Sequence, residues 1–138
     1  MSKLTSNLHY YRGLVSLYYL LIKADGEIND KERNMGDIMR EHEGLSEEEF
    51  NGMINSVAAE DQAKVFKACI ADLKACAEEE QVKCIAWMSL IANSDGFMDK
   101  AEWNVIYRIY YKELGLQLSD IMNKQKELPR FKRSSLSA

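Results

Sequence analysis

Apolar residues recur at helical spacing along nearly the whole chain. Leu8, Tyr11, Val15, Tyr18 and Ile22 fall three or four apart, and Leu14, Leu17 and Leu21 form a second row beside them. Two adjacent rows cover most sides of a helix, so a central helix is predicted from about Thr5 to Ala24. Asp25-Gly26 ends it, because glycine takes the left-handed conformation of a helix stop at low cost. A second helix is predicted from Asn29 or Asp30 to about Glu43. Met35, Ile38, Met39 and His42 give it one apolar stripe, and Gly44 ends it. Ser46-Glu47-Glu48-Glu49 has the form of a capping box and opens a third helix, with Phe50, Met53, Ile54 and Val57 expected to face inward. A fourth helix carries Val65, Phe66, Cys69, Ile70 and Leu73. Glu78, Glu79 and Glu80 favour the start of a fifth, which is apolar on most faces through Cys84, Ile85, Trp87, Met88, Leu90 and Ile91 and runs to about Asn93. The sixth, from near Asp99 to Leu114, holds Trp103, Ile106, Tyr107, Tyr110 and Tyr111 at core-like spacing, and Gly115 caps it. The seventh spans Leu118 to Leu128 before Pro129. No segment alternates as a strand would, so the fold class is all-α with about seven helices.

Composition narrows the function. The 138 residues suit one domain, expected over residues 1–128, with a basic tail at 129–138. A single proline and 7 glycines argue for long helices over a turn-dense sandwich or barrel. The net charge of −4 argues against nucleic acid, whose phosphates call for a basic surplus. The 3 cysteines, at 69, 76 and 84, are odd in number and lack zinc-ligand pairing, so they are expected as reduced core residues of a cytoplasmic protein. Cys69 and Cys76, seven apart, would share one helix face. No secretory signal is expected from Met1-Ser2-Lys3-Leu4, and the apolar run Leu14 to Ile22 is too short for a bilayer.

The chain also contains itself twice. Leu20 to Glu32 lies over Leu90 to Glu102 at an offset of 70 residues, with Asp25/Asp95, Gly26/Gly96, Ile28/Met98 and Glu32/Glu102 in register. Gly44-Leu45 then pairs with Gly115-Leu116 at an offset of 71. The unit is a buried helix, an Asp-Gly turn, a second helix and a Gly-Leu stop. Two such hairpins predict a compact bundle with pseudo-two-fold symmetry.

Asp-Gly-x-apolar-x-x-x-Glu matches the second half of an EF-hand calcium loop. The match fails where the loop needs its first ligand, at Leu21 and Ile91, and at Lys23 in the first copy. Two readings of the spacing follow. In one, Asn29 with Glu32 and Asp99 with Glu102 cap the second helices, each cap being worth about 1 kcal/mol. In the other, Asp25, Glu32, Asn93, Asp95, Asp99 and Glu102 hold a divalent cation of the calcium or magnesium class, the second copy being richer in ligands.

These duplicated units, each followed by a Gly-Leu stop, resemble the TerB-like family, named for tellurite resistance B. The resemblance covers about Leu8 to Leu128. It implies an all-helical cytoplasmic domain with a surface cluster of acidic residues, suspected in that family of binding divalent cations. Carried over to this chain, the cluster is Asp25, Glu32, Asp95 and Glu102. The resemblance also implies a link to tellurite and other stresses, membrane-associated protein partners, and no single enzymatic reaction. Gln117-Leu118 and the basic tail depart from the pattern.

Three functions are therefore carried forward. The first is a non-enzymatic adaptor or sensor whose acidic turns bind a divalent cation. The second is a metal-free interaction module that binds a protein partner or forms a homodimer through its tyrosine-rich faces; a strict monomer in which Tyr19 and Tyr110 are fully buried would count against it. The third is an enzyme using paired carboxylates, which would need a concave pocket where they converge. His9 and His42 stand in no catalytic string, and His42 is expected as a helix-end residue. The bases from Lys124 to Arg133 suit a solvated tail or an anionic surface.

Overall fold

The computed structural model describes residues 8–26, 30–94 and 100–129, with the backbone alone at Asp25. Among them are seven α-helices and no strand: α1 (Leu8–Asp25), α2 (Asp30–His42), α3 (Glu47–Ala58), α4 (Gln62–Lys74), α5 (Glu78–Ala92), α6 (Lys100–Tyr107) and α7 (Leu118–Glu127). A π-helical segment, Arg108–Glu113, continues α6.

The two helices with apolar residues on most sides form the centre. Residues 13–21 of α1 and 84–92 of α5 are buried without interruption. α1 packs against α3, α4, α5 and α6, while α5 packs against α1, α2, α6 and α7. Two glycines permit close crossings. A Cβ on Gly13 would lie 2.8 Å from Leu73 Cδ2, and one on Gly36 would lie 2.8 Å from the Tyr18 hydroxyl oxygen.

Local chemistry sets the helix limits. Glu49 N–H donates to Ser46 Oγ at 3.0 Å, and Ser46 N–H donates to Glu49 Oε1 at 2.9 Å, closing the predicted capping box. Those bonds hold the Glu49 carboxyl below its ordinary pKa. Asp61 accepts from Ala63 N–H at the start of α4, and Glu80 accepts from Ala77 N–H at the start of α5. Gly44 and Gly115 take φ of +79° and +65°, the left-handed stops that the sequence predicts.

Three expectations need correction. Only Phe50 of the α3 stripe is buried; Met53, Ile54 and Val57 are half-buried, because α3 meets α1 along one edge and lies open beside α4. In the sixth helix Ile106, Ile109 and Tyr110 enter the core, but Trp103, Tyr107 and Tyr111 form an exposed stack, with the Tyr107 and Tyr111 rings 5.1 Å apart. The helix also widens into a π turn, where Leu114 N–H reaches back five residues to the Ile109 carbonyl at 3.0 Å. Finally, α4 stops before Cys76, so Cys76 does not share a helix face with Cys69. Its thiol donates to the Asp72 carbonyl at 3.3 Å.

Candidate functional site

The helix starts fix the frame of the two acid–glycine turns. α2 begins at Asp30 and α6 at Lys100, so Glu32 and Glu102 are each the third residue of a helix. Both are interior, at 3% and 2% exposure. This differs from the surface cluster that the family resemblance implies: the closing glutamates turn inward at the base of each second helix. Glu32 acts on the Tyr18 phenol of α1. Burial pushes that phenol up to about 12, with Asp37 and Glu32 adding to the rise and Arg33 opposing it.

Asn93 caps the end of α5 and is exposed. The Asp25 side chain, Asp95 and Asp99 lie outside the described residues, as do Ile28, Gly96, Met98 and the tail from Arg130. Among the described residues, no three His, Cys, Asp or Glu side chains group as metal ligands. The structure therefore brings the two glutamates to matched, buried helix starts.

A second carboxylate centre was not anticipated. Glu43, the residue after α2, has its side chain 5% exposed. Its Oε1 accepts from the Tyr10 hydroxyl at 2.9 Å. Its Oε2 accepts from Trp87 Nε1 at 2.8 Å and faces Lys83 Nζ at 3.1 Å. The Tyr11 hydroxyl donates to its backbone carbonyl at 3.2 Å. One residue thus ties α1, α2 and α5 together. The signal that could have revealed it is Trp87 in an otherwise apolar helix: a buried indole N–H requires an acceptor. Burial, with the Cys84 and Glu43 charges behind it, drives the Tyr10 phenol far above its ordinary range. His42, at the end of α2 as expected, lays its ring 5.5 Å from Trp87.

The cysteines are reduced, with Cys69 and Cys84 buried and Cys76 half-buried. Burial raises all three thiols, Cys76 to about 11, so near neutral pH none supplies a thiolate nucleophile. His9 Nδ1 lies 2.7 Å from Asp72 Oδ1 at the surface.

Two concavities lie on the surface of the described residues. A groove of about 1380 Å³ runs over α1 between α3 and α4, and Leu8, Tyr11, Val15, Met53, Val57 and Val65 give it a largely apolar lining. A smaller cleft of about 300 Å³ beside His42 mixes Glu79, Glu80 and Glu127 with Lys83 and Lys124. Its carboxylates stand among lysines; Lys124 Nζ pairs with Glu127 Oε1 at 3.0 Å.

The described residues define a small all-α domain in which Glu32 and Glu102 are buried at the starts of two helices. The chain belongs to the TerB family: the family model described as tellurite resistance protein TerB matches residues 12–125, from the first turns of α1 into α7. That span includes both Asp-Gly turns, Glu32 and Glu102. No curated protein and no solved structure matches the chain. Among the described residues no helix is long and apolar enough to cross a membrane.

Proposed function

We propose that this TerB-family chain is a non-enzymatic adaptor or sensor, and that its two acid–glycine turns bind divalent cations. The observation behind this reading is the burial of Glu32 and Glu102 in one helical frame. A carboxylate is seldom interior without donors or positive charge to compensate it. Backbone N–H groups of a helix start are donors of that kind. A carboxylate offers about four lone-pair sites, so capping bonds leave capacity for an ion. Asp25 in the first turn, and Asn93, Asp95 and Asp99 in the second, are the partner ligands. An ion bound there would neutralise the turn and fix the second helix against the first.

Packing supports the duplicated unit. α1 packs on α6, the second helix of the other unit, and α5 packs on α2. α3 follows the first Gly-Leu stop and lies on α1; α7 follows the second and lies on α5. The helix ends also correspond. Glu43 N–H bonds the Met39 carbonyl and Leu45 N–H the Arg40 carbonyl. In the second unit Leu114 N–H bonds Ile109 and Leu116 N–H bonds Tyr110. The acceptors stand at the offset of 70 and the donors at 71, so the π segment absorbs the one extra residue.

Trp103 follows Glu102 and is partly exposed, which makes its fluorescence the readout. Calcium, magnesium, manganese and zinc are titrated into chelator-treated protein. A saturable change in emission and a rise in melting temperature are expected, both reduced by Glu102→Gln. No response at millimolar ion would overturn the cation reading.

The metal-free interaction module remains the second reading; of its tyrosines, Tyr107 and Tyr111 are exposed and stacked, with Trp103 beside them. Tyr19 and Tyr110 are buried, at 9% and 4% exposure. The open groove of α1, α3 and α4 favours a further partner surface.

A further inference from the structure

We propose that the groove between α3 and α4 is the docking site for a basic amphipathic helix of a partner protein. This stands apart from the cation reading, since neither Glu32 nor Glu102 is among the described residues that line the groove.

The floor is α1 and the walls are α3 and α4. Val15 closes the floor, and Met53 and Val57 lie half-buried along one wall. A groove of about 1380 Å³ is larger than the ~300–1000 Å³ usual for small-molecule pockets. The 12 residues of α3 give a wall about 18 Å long, enough for roughly three turns of a docked helix. An amphipathic helix laid in such a groove reads it through apolar anchors at i, i+4 and i+7.

The rim chooses the charge of the occupant. Glu48, Glu49, Glu60 and Asp72 stand on it against Arg12 and Lys64. Glu49 is engaged in its cap and Asp72 with His9, while Glu48 and Glu60 stand exposed on the rim. A helix with lysine and arginine flanking an apolar stripe matches both layers.

Gly52 adds an independent observation. It sits in the middle of α3, where glycine costs about 1 kcal/mol relative to alanine. Gly13 and Gly36 are explained by neighbours that leave no room for a Cβ, but a Cβ on Gly52 would meet nothing within 4 Å. Core packing does not require this glycine. Its absent side chain keeps the groove wide.

The test uses a displayed library of helices about 14 residues long, roughly 21 Å, with lysine and arginine on the polar face. A matched library carries glutamate and aspartate there. Enrichment of basic binders is expected, with affinity falling at least tenfold in Gly52→Trp, which fills the groove. Glu48→Lys with Glu60→Lys should also weaken binding. Circular dichroism and melting of each variant confirm that it is folded. No enrichment, equal enrichment of the acidic library, or binders indifferent to Gly52→Trp would overturn the proposal. So would two other occupants. Self-association abolished by Gly52→Trp in sedimentation would make a second copy the ligand. Peptide affinity rising on removal of residues 130–138 would make the chain's own basic segment the ligand.

Discussion

On one side of α1, Tyr10 reaches Glu43, and Glu43 gathers Trp87 and Lys83 into a closed set of contacts. On the other side, Leu8 and Val15 face a groove whose far wall keeps Met53 and Val57 half-exposed. The same helix thus carries a finished interface and an open one. The finished side is polar at its heart, with each carboxylate oxygen of Glu43 engaged. The open side is mostly apolar and carries acids at its rim. Apolar side chains left half-covered supply little folding energy and are available to a partner.

The strongest way to break this contrast is Glu43→Leu. It strands the Tyr10 hydroxyl, the Trp87 N–H and the Lys83 charge, and a loss of about 3–5 kcal/mol is expected in urea unfolding. A loss below 1 kcal/mol would mean that the closed side is held by apolar packing alone. The same centre should fail in alkali. The Tyr10 phenol is raised above its ordinary value of 10, so its contribution is intact below pH 10 and is lost as pH climbs above it. A thermal melt series from pH 8 to pH 11 reads that decline.

Next comes one substitution made on both sides. Gly36→Ala drives a Cβ against Tyr18 and should cost about 1–3 kcal/mol. Ser46→Ala, at the head of the open wall, should cost about 1 kcal/mol by removing the acceptor for Glu49 N–H. Gly52→Ala meets open space and should raise stability by up to about 1 kcal/mol. Chemical denaturation of the three variants orders them. If Gly52→Ala were destabilising, the open side would be tighter than its geometry shows.

Helix limits were legible where the chain spells them out. Ser46 with Glu49, and Gly44 and Gly115 before leucine, carry their geometry in residue type and spacing. Burial was harder to read. Met53, Ile54 and Val57 keep helical spacing whether they meet a core or an open groove, so periodicity gave α3 an inward face that it only half possesses. Trp103, Tyr107 and Tyr111 misled in the same way. Trp103, Tyr107 and Tyr111 form a row of their own beside Ile106 and Tyr110, and only one of these adjacent rows faces the core. Glu43 was hidden for a different reason. A glutamate before a terminal glycine resembles any solvated helix end, and only the needs of Tyr10 and Trp87, distant in sequence, draw it inside. Of the candidate cation ligands, sequence placed Glu32 and Glu102 in the correct helical frame but not their depth, because capping residues are ordinarily wet.

The π segment has a consequence for the chain as a tolerant of length change. Most helices reject a deletion, since every later side chain rotates about 100° out of place. Here the wide turn already stores a surplus residue between Tyr110 and Leu114. Deleting Lys112, which is exposed, should let the turn relax to ordinary α-helix while Leu116 and Ile121 keep their buried seats. A shortening that would cripple a neighbouring helix becomes, at this one place, a repair of helical regularity.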